Sequence, residues 1–186
     1  GFADHAGRGA DQHARYPVGY TTGTQIETSD LPVVTAEQVT SIDYNKDLAE
    51  ALKNSYAIYS KEYAMQTASD DYENNKTNTL YAYQAAKIDR DAQKESTTAS
   101  FRKLYTDLQE KQTALAAADA DLAQAKKTFT VSQVQYTRGM ISKMAYTDAL
   151  DTFTTAQETE VAARIDLLTA YNTYQWAKRG VITATT

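Results

Sequence analysis

Large apolar residues recur at every seventh position through the second half of this chain: Phe101, Leu108, Leu115, Leu122, Phe129 and Tyr136. A short turn, Arg138-Gly139-Met140-Ile141-Ser142, interrupts the pattern. A column of alanines then repeats the spacing at Ala149, Ala156, Ala163, Ala170 and Ala177. A straight α-helix drifts against a seven-residue repeat, so a sustained one implies helices that wind around each other. The pattern predicts an all-α fold built on a long antiparallel coiled-coil helical hairpin. Leu108, Leu115, Leu122, Phe129 and Tyr136 are expected to pack at close range against Ala149, Ala156, Ala163 and Ala170.

Glycine and proline mark where the helices stop. Both prolines (Pro17, Pro32) and five of the seven glycines precede residue 33, and neither type occurs from Val33 to Arg138. Residues 1–43 are polar and aperiodic, and are expected as a flexible or extended lead-in. A first helix is predicted at about 44–73, with Ser41 or Asp43 as its cap and Leu48, Leu52, Tyr56, Tyr59 and Tyr63 on its apolar face. Asn74–Thr79 combines poor helix formers whose side chains compete for the backbone, so the chain is expected to turn there. The second helix is predicted at about 80–137, roughly 87 Å at 1.5 Å per residue. A third follows at about 143–179 and stops at Gly180, leaving a tail at 181–186. The lengths imply one long helix with two shorter helices stacked end to end against it, within a domain spanning 44–180.

Composition narrows the chemistry. A net charge of −5 and a pI near 5.0 leave no basic patch for nucleic acid. Charges alternate in sign along the helices, as on a solvated face. There is no cysteine, and no histidine follows His13, so nucleophilic triads and dyads built on His or Cys are impossible in the helical part. His5 and His13 lie in a glycine-rich aperiodic stretch, which argues against a metal site, and no cofactor is expected. The fourteen tyrosines fall mostly near the helix seams, where the ring packs and the hydroxyl reaches water. No apolar run approaches the ~18 residues of a membrane-spanning helix. The expectation is a non-enzymatic, structural chain.

Gln135-Tyr136-Thr137-Arg138-Gly139-Met140-Ile141-Ser142, followed by Tyr146, Ala149 and Leu150, resembles the helix–turn–helix tip of the TolC family of outer-membrane efflux proteins. Ala163-Arg164-Ile165-Asp166-Leu167-Leu168-Thr169-Ala170-Tyr171 with Trp176 and Gly180 is similar to that family's returning helix. Asp47-Leu48-Ala49-Glu50-Ala51-Leu52-Lys53-Asn54-Ser55 is similar to its repeat start. The resemblance covers about residues 16–180. It implies a conduit component of the cell envelope, outside the cytoplasmic membrane, acting in efflux or secretion. Arg138, Gly139, Met140, Ile141 and Ser142 would then dock a membrane-fusion-type adaptor protein of the export system. Self-association or a second repeat would close the tube. One departure stands out: the family inserts two β-strands between its first and second helices, and here that place holds only about Asn74–Thr79. A barrel-spanning strand needs ~9–11 residues, so this chain is not expected to cross an outer membrane by itself. The rival reading is a coiled-coil spacer or adaptor hairpin with no channel role.

Overall fold

The computed structural model describes residues 32–74 and 79–182, all within one compact unit, Pro32–Thr186. The expected lead-in at 1–31, the histidines His5 and His13, most of the Asn74–Thr79 run and the last four residues of the tail lie outside the described residues.

Five helices make up this unit, α1 (Ala36–Thr40), α2 (Tyr44–Asn54), α3 (Tyr56–Glu73), α4 (Thr79–Thr137) and α5 (Lys143–Lys178), and no strand occurs among the described residues. The fold is all-α. α4 is 59 residues, about 88 Å long. It carries α5 along its C-terminal part and α3 along its N-terminal part, so two shorter helices follow one another along one long partner. Among the described residues thirteen threonine hydroxyls bond a carbonyl four residues back, for example Thr98 to Lys94 at 2.8 Å and Thr130 to Lys126 at 2.8 Å. The hydroxyls are thus satisfied within their own helices.

The expected first helix at 44–73 is two helices. At Ser55 the backbone leaves helical geometry (φ −69, ψ 114), and its side chain accepts the Ile58 amide at 3.4 Å to start α3. The expected face of Leu48, Leu52, Tyr56, Tyr59 and Tyr63 is corrected accordingly. Leu48 packs against the core, but Tyr56, Tyr59 and Tyr63 are exposed. The buried positions in this stretch are Asp47, Ala51, Ser55 and Ile58, each one residue ahead of an expected one. Smaller side chains let the helices approach, whereas a tyrosine tolerates the outer face because its hydroxyl is solvated.

Residues 32–43 also depart from the expected flexible lead-in. Val34 and Val39 are buried, and Ile42 packs beside them against the core. A capping box holds α1: the Thr35 side chain accepts the Gln38 amide, and the Gln38 side chain accepts the Thr35 amide. Val34, Val39 and Ile42 follow no helical or strand period, yet their packing against the core removes apolar surface from water and holds the segment in place.

Candidate functional site

The hairpin tip follows directly from its sequence. Gly139 takes φ 71 and its amide bonds the Tyr136 carbonyl at 2.9 Å, while the Met140 amide bonds Gln135 at 2.8 Å. This is the six-to-one and five-to-two pairing that ends a helix on a left-handed residue, a conformation glycine adopts without penalty. Ser142 then caps α5 by accepting the Ala145 amide at 3.1 Å. Only Met140 and Ile141 separate the two devices. Arg138, Gly139, Met140 and Ser142 are exposed and Ile141 is half-buried. Met140 is 66% exposed at the apex, and Met144, the second residue of α5, is 74% exposed.

Beneath the apex lies a ladder of rings. Tyr136 stacks on Tyr146 with centroids 4.8 Å apart, Phe129 touches Tyr146 at 5.7 Å, and Phe129 stacks on Phe153 at 5.4 Å. The turn therefore stands on a stiff base.

The structure places the expected packing residues unevenly. Leu108 is fully buried and Ala170 nearly so. Leu115, Leu122, Phe129, Ala149, Ala156 and Ala163 are half-buried, and Tyr136 is just exposed. Each helix has a second column that the sequence reading missed. On α5 it is Tyr146, Phe153, Glu160, Leu167 and Tyr174, again seven apart; on α4 it is Thr97, Leu104, Lys111, Ala118 and Ala125. On α5 a column of large residues thus runs beside the alanines, while the second column of α4 is mixed and turns to alanine at Ala118 and Ala125. Beside the alanines of α5 the seam is open: a trough of about 440 Å³ is lined by Ala118, Thr155 and Ala156, and one of about 360 Å³ by Ala125, Ala149 and Thr152. Ala156 thus borders open space along one side of the seam.

A buried polar junction closes the other end of α5. The Tyr174 hydroxyl donates to Asp47 Oδ2 at 2.9 Å, and Lys178 Nζ lies 2.8 Å from Asp47 Oδ1 and 3.6 Å from Glu50 Oε2. Burial, then the Asp47 bond, pushes the Tyr174 hydroxyl far above its ordinary pKa; the Asp47 bond raises Lys178 against its desolvation. The rings of Phe101 and Tyr105 lie 5.1 and 6.0 Å from that of Tyr174, and Tyr44 packs on both of them. Gly180 (φ 90) ends α5 against the Asn54 backbone, where an added Cβ would meet the carbonyl oxygen at 2.3 Å. Sequence spacing could not pair Asp47 with a tyrosine 127 residues away.

A cleft of about 450 Å³ beside this junction is lined by Ser55, Gln93, Thr97 and Val181 among others. Two of its polar groups are already engaged, Ser55 with Ile58 and Gln93 with Thr97 at 3.3 Å. No group of three or more metal-ligating side chains occurs among the described residues. No helix of the described residues is long and apolar enough to cross a membrane.

Comparison with family models, with curated proteins and with solved structures finds no match to this chain.

Proposed function

We propose that this chain is a wall element of a cell-envelope efflux or secretion conduit of the TolC type, lying outside the cytoplasmic membrane, with its tip docking an adaptor of the transporter. The observation that carries the reading is the apex itself. A long hairpin ends in a rigid two-residue turn that holds Met140 out in solvent, where no core of the same chain reaches it. The sequence resemblance of 135–150 to the family's tip supplies the partner. Met144 joins Met140 in this apolar end, and both side chains are flexible enough to fit an irregular partner surface. The chain acts by shape and contact, and no residue is assigned a catalytic role.

The test uses Met140→Glu with Ile141→Lys in the native full-length protein. Folding should survive, because Met140 is exposed and Ile141 only half-buried, while export and adaptor co-purification should be lost. If folding, adaptor binding and export all persist, the tip is no docking surface and the coiled-coil spacer reading takes its place.

A further inference from the structure

The cleft of about 450 Å³ beside the polar junction has an uncharged, hydroxyl-rich lining. Gln93, Ser96, Thr97 and Ser100 recur at helical spacing and form one face of α4, and Ser55 joins them from the break between α2 and α3. The troughs near the tip carry Asp121, Asp148 and Asp151, whereas no charged side chain among the described residues lines this cleft. Its hydroxyls are available. Ser55 and Thr97 are each 5% exposed, and each accepts one hydrogen bond, from the Ile58 amide and from Gln93 Nε2. Neither hydroxyl proton finds an acceptor among the described residues, and Ser96 and Ser100 make no hydrogen bond among them. Thr98, adjacent in sequence but outside the cleft, instead turns its hydroxyl back on the Lys94 carbonyl.

Two helix ends of opposite sign border the same space. Tyr56 and Ala57 open α3, where backbone amides lack intrahelical partners, and Gly180 and Val181 follow the C-terminus of α5. The partial charges of the two ends offset one another, so the field favours neither an anion nor a cation. The remaining wall is aromatic. Tyr56 is 78% exposed although it directly follows a buried serine, and the Tyr59 ring 6.3 Å away limits its freedom.

We infer that this cleft binds a short neutral saccharide, with a sugar ring against Tyr56 and its hydroxyls bonded to Ser55, Ser96, Thr97 and Ser100. A sugar ring brings what the cleft lacks. Its face of C–H groups suits the electron-rich face of an aromatic ring, and its hydroxyls donate and accept without carrying charge. The volume lies within the range of small-molecule sites, about 300–1,000 Å³. An extended peptide is held through a sheet edge or a long groove, and no strand occurs among the described residues. The cleft is remote from the hairpin tip in sequence and stands whether or not the tip docks an adaptor.

The test titrates the isotope-labelled full chain with maltotriose, cellotriose and triacetylchitotriose, each to about 10 mM, and follows its amide signals by NMR. At least one sugar should shift the amides of Tyr56, Ala57, Ser96, Thr97 and Ser100 saturably, and leave those of Met140 and Met144 in place. Tyr56→Ala should keep the fold, because the ring is largely in solvent, and weaken binding about tenfold. Ser96→Ala combined with Ser100→Ala should weaken it about fivefold through two lost hydrogen bonds. Tyr63→Ala removes another exposed ring of α3 that does not line the cleft, and should leave binding unchanged. Failure of all three sugars to bind overturns the inference, and so does binding that persists unchanged in Tyr56→Ala or in the serine pair. Equal weakening by Tyr63→Ala overturns it as well, since sugars would then stack on any exposed tyrosine. A tri-alanine peptide that shifts the same amides while the sugars do not would assign the cleft to peptide instead.

Discussion

The same heptad pattern runs through two stretches of the α4–α5 hairpin that differ sharply in burial. Around Phe101, Leu108, Leu167 and Tyr174, α2 and the segment Pro32–Asp43 lie over the seam as an added layer, and the seam residues are sealed from water. Toward the tip α4 and α5 are the only helices among the described residues, and Leu122, Phe129, Ala149, Ala156 and Phe153 keep part of their surface exposed. A seven-residue repeat tells which side of a helix meets a neighbour. It does not tell how many neighbours arrive. Two helices alone shield a strip, and a third is needed to seal it. Stability should therefore concentrate at the junction end, while the tip end has surface left over for another molecule.

The largest effect expected from this contrast is at the paired phenylalanines. Phe101→Ala should cost about 3–5 kcal/mol, the range for emptying a sealed aromatic site. Phe129→Ala should cost roughly 2 kcal/mol or less, because water already reaches part of that ring and covers the gap. Denaturant unfolding of both variants decides the matter. Equal losses would mean that the tip seam is as well sealed as the junction, and the contrast would collapse.

The polar junction gives the next effect, and it is pH-dependent. Tyr174 and Lys178 both hold their protons more tightly in the fold than at their ordinary values of 10.0 and 10.5. Their contribution is thus fully present below about pH 10 and is lost as pH rises through the folded values. Tyr174→Phe removes a hydrogen bond to a buried carboxylate and should cost about 1.5–3 kcal/mol at neutral pH. It should also flatten the alkaline fall in melting temperature. An alkaline fall of unchanged steepness in both Tyr174→Phe and Lys178→Gln would show that another group unlocks the helices.

Much of this was legible in the sequence, for a definite reason. A helix spanning 59 residues with neither glycine nor proline leaves few alternatives, and the Gly139–Ser142 stop-and-start signals are local chemistry that needs no distant partner. The apolar stripe lapses at Glu73, Lys87 and Lys94, where charged residues stand in the sequence itself. There α3 and α4 are joined by Lys61–Asp89 at 3.1 Å and Glu62–Lys94 at 2.7 Å, with Ile58 the one buried apolar side chain of α3. What stayed hidden depends on partners far along the chain. Asp47 reads as a solvated helix residue until Tyr174 and Lys178 are brought to it, and Val34 and Val39 read as loop until a seam lies beneath them. The tyrosines misled because their size invites burial while their hydroxyl permits exposure: Tyr56, Tyr59 and Tyr63 share the chemistry of buried Tyr174 and end on the opposite kind of surface. At the tip, the turn could be read to the residue, but exposure of Met140 identifies a free surface and names no partner; resemblance alone supplied the adaptor.

The smallest expected effect tests the contrast at its finest grain, through alanines of one column. Ala177 is fully buried beside the junction, where α2, α4 and α5 converge, and a leucine there has no free space to enter. Ala177→Leu should force neighbouring side chains off their preferred rotamers and cost about 1–3 kcal/mol. Ala156, three heptads earlier in the same column, borders the trough of about 440 Å³ beside Ala118 and Thr155. A leucine at that position can lie along the trough and cover apolar surface of α4, so Ala156→Leu should change stability by less than about 0.5 kcal/mol. Spacing alone does not separate the two, because both are alanines at the same heptad position. If thermal and denaturant melting show comparable losses for the two, the tip seam closes more tightly than its open trough implies. A cost at Ala177 alone would locate close packing where the third helix arrives and leave the outer seam as a place another chain can fill.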